Sequence, residues 1–156
     1  MKGNETLIRK LDELLCDELT AINQYMVHSE MCANWGYNRL HKTIEKRAIE
    51  EMKHAEKLIG RILFLEGTPT VSKLNAVLIG ADVAKQLESD LNAELGAIRD
   101  YNDAIKLANE VGDAVSRKLL EEILRDEDAH IDWLEEQRDQ INQMGIALYL
   151  TTQTSE

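Results

Sequence analysis

The sequence predicts an all-α protein: a four-helix bundle with a long crossover between helices two and three and a short fifth helix at the C-terminus. Three observations predict it. Ala, Leu, Glu, Lys and Ile dominate while Pro and Phe occur once each, so helix formers are plentiful and strand-forming aromatics scarce. Apolar residues recur at three- and four-residue spacing along four long stretches. The breaks between those stretches run short, long, short, and a long middle connection is what brings helices two and three parallel.

Helix one is expected to begin near Asn4 or Thr6 and to end before Gly36, with Leu7, Leu11, Leu14, Leu15, Ile22 and Met26 at helical spacing. Helix two runs from about Asn38 to Glu66, and the short link makes the pair antiparallel. Gly67-Thr-Pro69 stops helix two, and the next strong start is Asp82, which can cap a third helix reaching about Val111. Gly112-Asp113 is another tight break, with Asp113 as N-cap of a fourth helix extending to about Met144 before Gly145. Helices of about 27 to 31 residues are about 40–47 Å long, which leaves room for a buried site midway. Ile146-Ala-Leu-Tyr-Leu150 is apolar on all sides and too short to stand alone. It either folds back on its own bundle or packs against neighbouring subunits.

At 156 residues the chain is expected to form one domain, residues 1–156. A formal net charge of −11 argues against nucleic-acid and anionic-membrane partners, which would repel it, and concentrates cations instead. No apolar stretch reaches the ~18 residues of a membrane span, and the opening Met-Lys-Gly-Asn-Glu lacks the apolar core of a signal peptide, so a cytoplasmic location is expected. Cys16 and Cys32 both fall in helix one, about 24 Å apart, beyond disulfide reach. They read as reduced core or interface residues, since neither has a Cys or His partner at ligand spacing.

The chain also carries an internal duplication. Glu18, Glu51 and His54 recur as Glu94, Glu127 and His130, each displaced by 76 positions. The surroundings repeat as well, because Leu15–Tyr25 matches Leu91–Tyr101 at Leu, Glu, Leu, Ala, Ile and Tyr. With 18 Glu in the chain, a Glu three residues before a His is common by chance; the shared register with Glu18 and Glu94 is what distinguishes these two. Residues three apart on a helix are about one turn apart on neighbouring faces, so Glu51 with His54, and Glu127 with His130, can each share one ion. Four carboxylates converging on one bundle core would be prohibitive without cations, and four carboxylates with two imidazoles suit two irons. By symmetry Glu18 and His54 serve one ion, Glu94 and His130 the other, and Glu51 and Glu127 bridge. A Glu from each of two helices plus Glu-x-x-His from each of the others is the set found in ferritin-like di-iron carboxylate proteins.

Nearly the whole chain resembles bacterioferritins, the haem-containing branch of the ferritin family. The resemblance is carried by the opening Met-Lys-Gly, Asn23-Gln-Tyr25, Asn34-Trp-Gly36, Glu51-Met-Lys-His-Ala55, Arg61-Ile-Leu-Phe-Leu-Glu-Gly67 and Glu122-Ile-Leu-Arg-Asp-Glu127. It implies a ferritin-like bundle, oxidation of Fe(II) by O2 or H2O2 at the paired site, and storage of Fe(III) as a mineral inside a hollow homo-oligomeric cage of 24 subunits built from dimers. On that reading Tyr25 could supply an electron; it reads equally as a core tyrosine bonded to a ligand carboxylate.

Met52 follows Glu51 directly and so lies about 100° away, pointing out of the bundle. The resemblance makes it an axial ligand of a b-type haem shared between two subunits, where thioether ligation favours reduced haem; from the residue alone it reads as an apolar contact. Leu19, Ile22, Asn23, Met26, Ile49 and Ile59 could flank the haem or seal a haem-free dimer. The haem would aid iron release, with a ferredoxin-like electron donor docking outside.

One departure stands out. Some relatives carry His at the position of Lys46 and Asp at Glu50 as an inner-surface iron site, and a protonated lysine cannot ligate iron. His28 and His41 lack the repeat's register and read as surface or interface residues. The alternative function is a rubrerythrin-type di-iron oxidase or peroxidase without storage, although no Cys-x-x-Cys pair supports an attached rubredoxin-like module. A scaffold whose carboxylates merely scavenge cations is a third reading. A DNA-protecting mini-ferritin fits less well, because that family builds its site across subunits.

Overall fold

The computed structural model describes residues 1–155. It contains five helices, α1 (Glu5–Trp35), α2 (Asn38–Phe64), α3 (Val83–Glu110), α4 (Ala114–Met144) and α5 (Ile146–Thr151), and no strand among the described residues. The expected caps are in place. Asn4, Asp82 and Asp113 accept from the backbone N–H groups of Leu7, Lys85 and Ser116, satisfying donors that a helix start leaves open. Gly36 ends α1 at a φ of 83°, a left-handed conformation that a side chain disfavours.

Hydrogen bonds from the crossover, residues 65–82, fix the topology. The N–H groups of Thr70, Asn75, Leu78 and Gly80 donate in turn to Asp12, Thr20, Gln24 and His28, so the segment climbs the length of α1. It therefore delivers α3 to the far end of the bundle, parallel to α2 and antiparallel to α1. At the opposite end Arg61 bonds Ser116 and Asp113, tying the last turns of α2 to the start of α4. Gly80 is required where the crossover meets α3, because a side chain there would collide with the backbone of Gln86.

Two apolar layers fill the bundle. One centres on Leu11, Leu15, Leu58, Ile62, Leu120 and Ile123, the other on Cys32, Ile44, Leu87, Leu134 and Tyr149. The second layer answers the question about the C-terminal segment: α5 folds back on its own bundle, with Tyr149 buried and its hydroxyl donating to Gln137 Oε1 at 2.7 Å. Cys16 and Cys32 are buried free thiols.

His28 corrects the surface or interface expectation. It is fully buried, with Nδ1 donating to Asp90 Oδ1 at 2.9 Å and Nε2 accepting from Gly80 at 3.0 Å. A polar residue lacking the repeat's register is still buried because the crossover supplies a partner that helix periodicity does not register. His41 is half-buried and bonds the Ser29 carbonyl at 2.9 Å.

Candidate metal centre

Between the two apolar layers lies a polar one. Glu18 comes from α1, Glu51 and His54 from α2, Glu94 from α3, and Glu127 and His130 from α4. None of the six is more than 3% exposed. His54 Nδ1 lies 3.1 Å from Glu127 Oε1 and 3.7 Å from both Glu18 Oε2 and Glu51 Oε2. His130 Nδ1 lies 3.1 Å from Glu51 Oε1, 3.5 Å from Glu127 Oε2 and 3.6 Å from Glu94 Oε1. These atoms make two four-donor groups, Glu18-Glu51-His54-Glu127 and Glu51-Glu94-Glu127-His130, with the donors of each within 4.8 Å of one another. Glu51 and Glu127 belong to both.

The residues fit a pair of cations on their own chemistry. Eight buried side-chain polar atoms among the described residues lack a hydrogen-bond partner, and six of them are Glu18 Oε2, Glu51 Oε1, His54 Nδ1, Glu94 Oε2, Glu127 Oε1 and His130 Nδ1. Native interiors seldom leave such atoms unmet, and their convergence is compatible with a bound pair of cations.

Protons take up part of that role in the metal-free protein. Burial and the neighbouring carboxylates hold Glu51 and Glu94 well above the usual carboxylate range. Burial opposes charging the imidazoles, but the Glu127 and Glu18 carboxylates close beside it push His54 up to about 11, and those of Glu127 and Glu94 push His130 up to about 9. Although burial alone would raise Glu127, the neighbouring Glu94, His130 and His54 hold it well below the ordinary value.

A second ring of partners orients the donors. His54 Nε2 bonds Asp126 Oδ2 at 2.8 Å and His130 Nε2 bonds Glu50 Oε2 at 2.7 Å, which turns each Nδ1 toward the cluster. Glu50 and Asp126 are themselves 76 positions apart, and each serves the histidine of the other half. Sequence reasoning missed this role, although the acidic residue preceding each Glu-x-x-His glutamate was its signal. Asp126→Ala is expected to weaken Co(II) binding about 10- to 100-fold in calorimetric titration; unchanged affinity would mean that packing alone holds His54.

Tyr25 donates to Glu94 Oε1 and its repeat partner Tyr101 to Glu18 Oε1. Burial, then the nearby carboxylates, raises both phenols well above their ordinary value, so they stay protonated donors. A cavity of about 270 Å³ on the α1–α3 side reaches Glu18, Glu51, Glu94 and Glu127. At its edge Asp17 is pushed up to about 7 by burial and by the Asp100 carboxyl.

Met52 lies outside this cluster and is 44% exposed; Met26 and Ile49 are exposed as well. Lys46 sits 4.0 Å from Glu50 Oε1, as an ion-pair partner. No helix among the described residues is long and apolar enough to cross a membrane.

The Ferritin family, a ferritin-like domain, matches residues 8–144. A bacterioferritin of Brucella melitensis biotype 1 is 42% identical over 96% of this chain and 92% of its own length. That of Rhodobacter capsulatus is 42% identical over 95% and 94%, and that of Mycolicibacterium paratuberculosis 40% identical over 96% and 94%.

Proposed function

Because the chain belongs to the ferritin family, in its bacterioferritin branch, we propose that it stores iron and oxidises Fe(II) at the paired carboxylate-histidine site. The observation that carries this reading is the pair of buried four-donor groups sharing Glu51 and Glu127, with one orphaned donor atom on every residue. Fe(II) is the substrate. Two ions held side by side give up one electron each, and the two electrons with two protons reduce O2 to H2O2 or H2O2 to water. Glu18 and His54 hold one ion, Glu94 and His130 the other, and Glu51 and Glu127 both.

The chain's own groups then manage charge. Carboxylates are hard donors that accommodate either oxidation state. Ion binding displaces the protons that Glu51, Glu94 and the imidazoles carry in the metal-free protein. Tyr25 and Tyr101 hold Glu94 and Glu18 in orientation, and Tyr25 lies where it could pass an electron to the site. The rest of the reading is that the chain is one domain, acts in the cytoplasm, and assembles into a hollow cage of 24 copies built from dimers, in which the oxidised iron accumulates as mineral.

The experiment that tests this is titration of metal-free protein with Fe(II) in air, followed by near-ultraviolet absorbance in the stopped flow. A fast phase saturating at about two Fe(II) per chain, then slower growth, is expected. A linear response without a break would reject the oxidase reading.

Haem binding extends the proposal to the outer face. Met52 would be an axial ligand of a b-type haem held between two subunits, aiding reductive iron release with an external ferredoxin-like donor. The exposed Met26, Ile49 and Met52 side chains support an apolar contact there. Met52→Leu keeps the apolar volume and removes the thioether. Protein assembled with haem supplied should hold about one haem per two chains as wild type and almost none as the variant, by pyridine haemochrome assay, with iron oxidation unchanged. Equal haem content in the two would discard Met52 as ligand.

A further inference from the structure

Near the turn at Gly36 the chain gathers a further set of ligand atoms that shares no residue with the paired centre. Glu30 of α1 and His41 and Glu45 of α2 each bring one donor atom within 4.8 Å of the other two. We propose that these three residues hold a single divalent transition-metal ion, of the Zn(II) class, bridging α1 and α2. Such a site is independent of the iron-oxidising function proposed above.

His41 and Glu45 are four positions apart and so share one face of α2, and Glu30 reaches the same point from α1. The His41 ring has a fixed orientation. Its Nδ1 lies 2.9 Å from the Ser29 carbonyl oxygen, which can only accept, so Nδ1 carries a proton. In the neutral ring Nε2 then bears the lone pair, and it faces Glu45 Oε2 at 3.7 Å, too far for a hydrogen bond. A backbone carbonyl on one ring nitrogen, with the other nitrogen left open, is how metal-ligating histidines are held. An ion with bonds of about 2.0–2.2 Å draws its donors to about 3.4 Å of one another. The ring therefore needs little movement, and the exposed Glu30 and Glu45 side chains supply the rest. An imidazole among the donors favours Zn(II) and its neighbours over Mg(II) or Ca(II).

The internal duplication gives an independent indication of a cation at this place. Positions 76 further on hold Lys106, Arg117 and Glu121. There Arg117 pairs with Glu121 at 3.8 Å, across the same four-residue spacing, now on α4. The second half thus carries a guanidinium of its own beside the glutamate, where the first half has an imidazole and a second carboxylate nearby. With His41 neutral, the first-half set has a formal charge of −2 and the second-half set +1. An external ion takes in the first half the place that a side-chain cation takes in the second.

Zinc, a redox-inert probe, tests the site in crystals and in solution. Crystals of the full chain soaked with Zn(II) should show an anomalous peak between Glu30, His41 and Glu45, apart from any zinc at the paired centre. Glu30→Gln, His41→Asn and Glu45→Gln should each lose that peak alone. In calorimetric titration with Zn(II), each of the three should bind about one ion fewer per chain than wild type. Glu121→Gln removes the same charge at the repeat position of Glu45 and should bind as wild type. The two glutamine variants keep side-chain size, so loss of zinc in them is not loss of fold. Fe(II) oxidation should be unchanged in all four, because none alters a ligand of the paired centre. No zinc between the three residues of the wild type, or a wild-type zinc count in Glu45→Gln, overturns the site.

Discussion

Glu18→Ala, Glu94→Ala and His130→Ala are each expected to abolish the fast phase of Fe(II) oxidation, a loss of about 100-fold or more, while the bundle stays folded. Each change removes a donor from one four-donor group, and the two-electron chemistry needs both ions in place. The fold should survive because the metal-free site is a cost rather than a source of stability: its carboxylates are buried and short of partners. Removing one relieves part of that repulsion, although Tyr101 or Tyr25 loses the carboxylate it donates to. Stopped-flow absorbance measures the rate and circular dichroism the fold. A variant that keeps the fast phase with its break at about two Fe(II) per chain would remove that residue from the centre.

Metal-free protein should lose thermal stability as pH rises from about 6 to about 10, and metal-loaded protein should lose much less. The sign follows from the protons bound on folding. His54 and His130, raised to about 11 and about 9, contribute stability that is fully present below the unfolded imidazole value and lost as pH rises through the folded values. Glu51 and Glu94, also raised, hold protons that the unfolded chain has released, so they act in the same direction. Glu127 shifts the opposite way, but its contribution is complete above the ordinary carboxylate range and adds no slope here. The combined effect is on the order of a few kcal/mol, or several degrees in Tm for a chain of this size. Bound cations replace those protons, so the gap between metal-free and loaded Tm should widen with pH in differential scanning fluorimetry. Parallel slopes would mean that the six residues do not share protons and metal in one site.

Both predictions concern residues that the sequence singled out. The 76-residue register marks all six, and helical geometry puts Glu51 with His54 and Glu127 with His130 one turn apart before any fold is known. The outward direction of Met52 is legible for the same reason, as are the caps at Asn4, Asp82 and Asp113. Less was legible wherever a residue's partner lies on another helix. His28 reads as a surface histidine from its lack of register, yet Asp90 and Gly80, more than fifty positions away, enclose it. Glu50 reads from its neighbour Lys46 as half of an incomplete inner site, whereas its carboxylate bonds His130 of α4.

The sequence by itself determined the helices, their order and the six candidate ligands, because each follows from spacing along one chain segment: apolar period, capping residue, loop length and internal repeat. Only the tertiary structure decided that each histidine is oriented by an acid of the opposite half and that α5 closes on its own bundle. Those meetings depend on the path of the crossover along α1 and on which helix faces come together. Such contacts span about 12 to 80 positions of chain, and a local pattern carries no information about them.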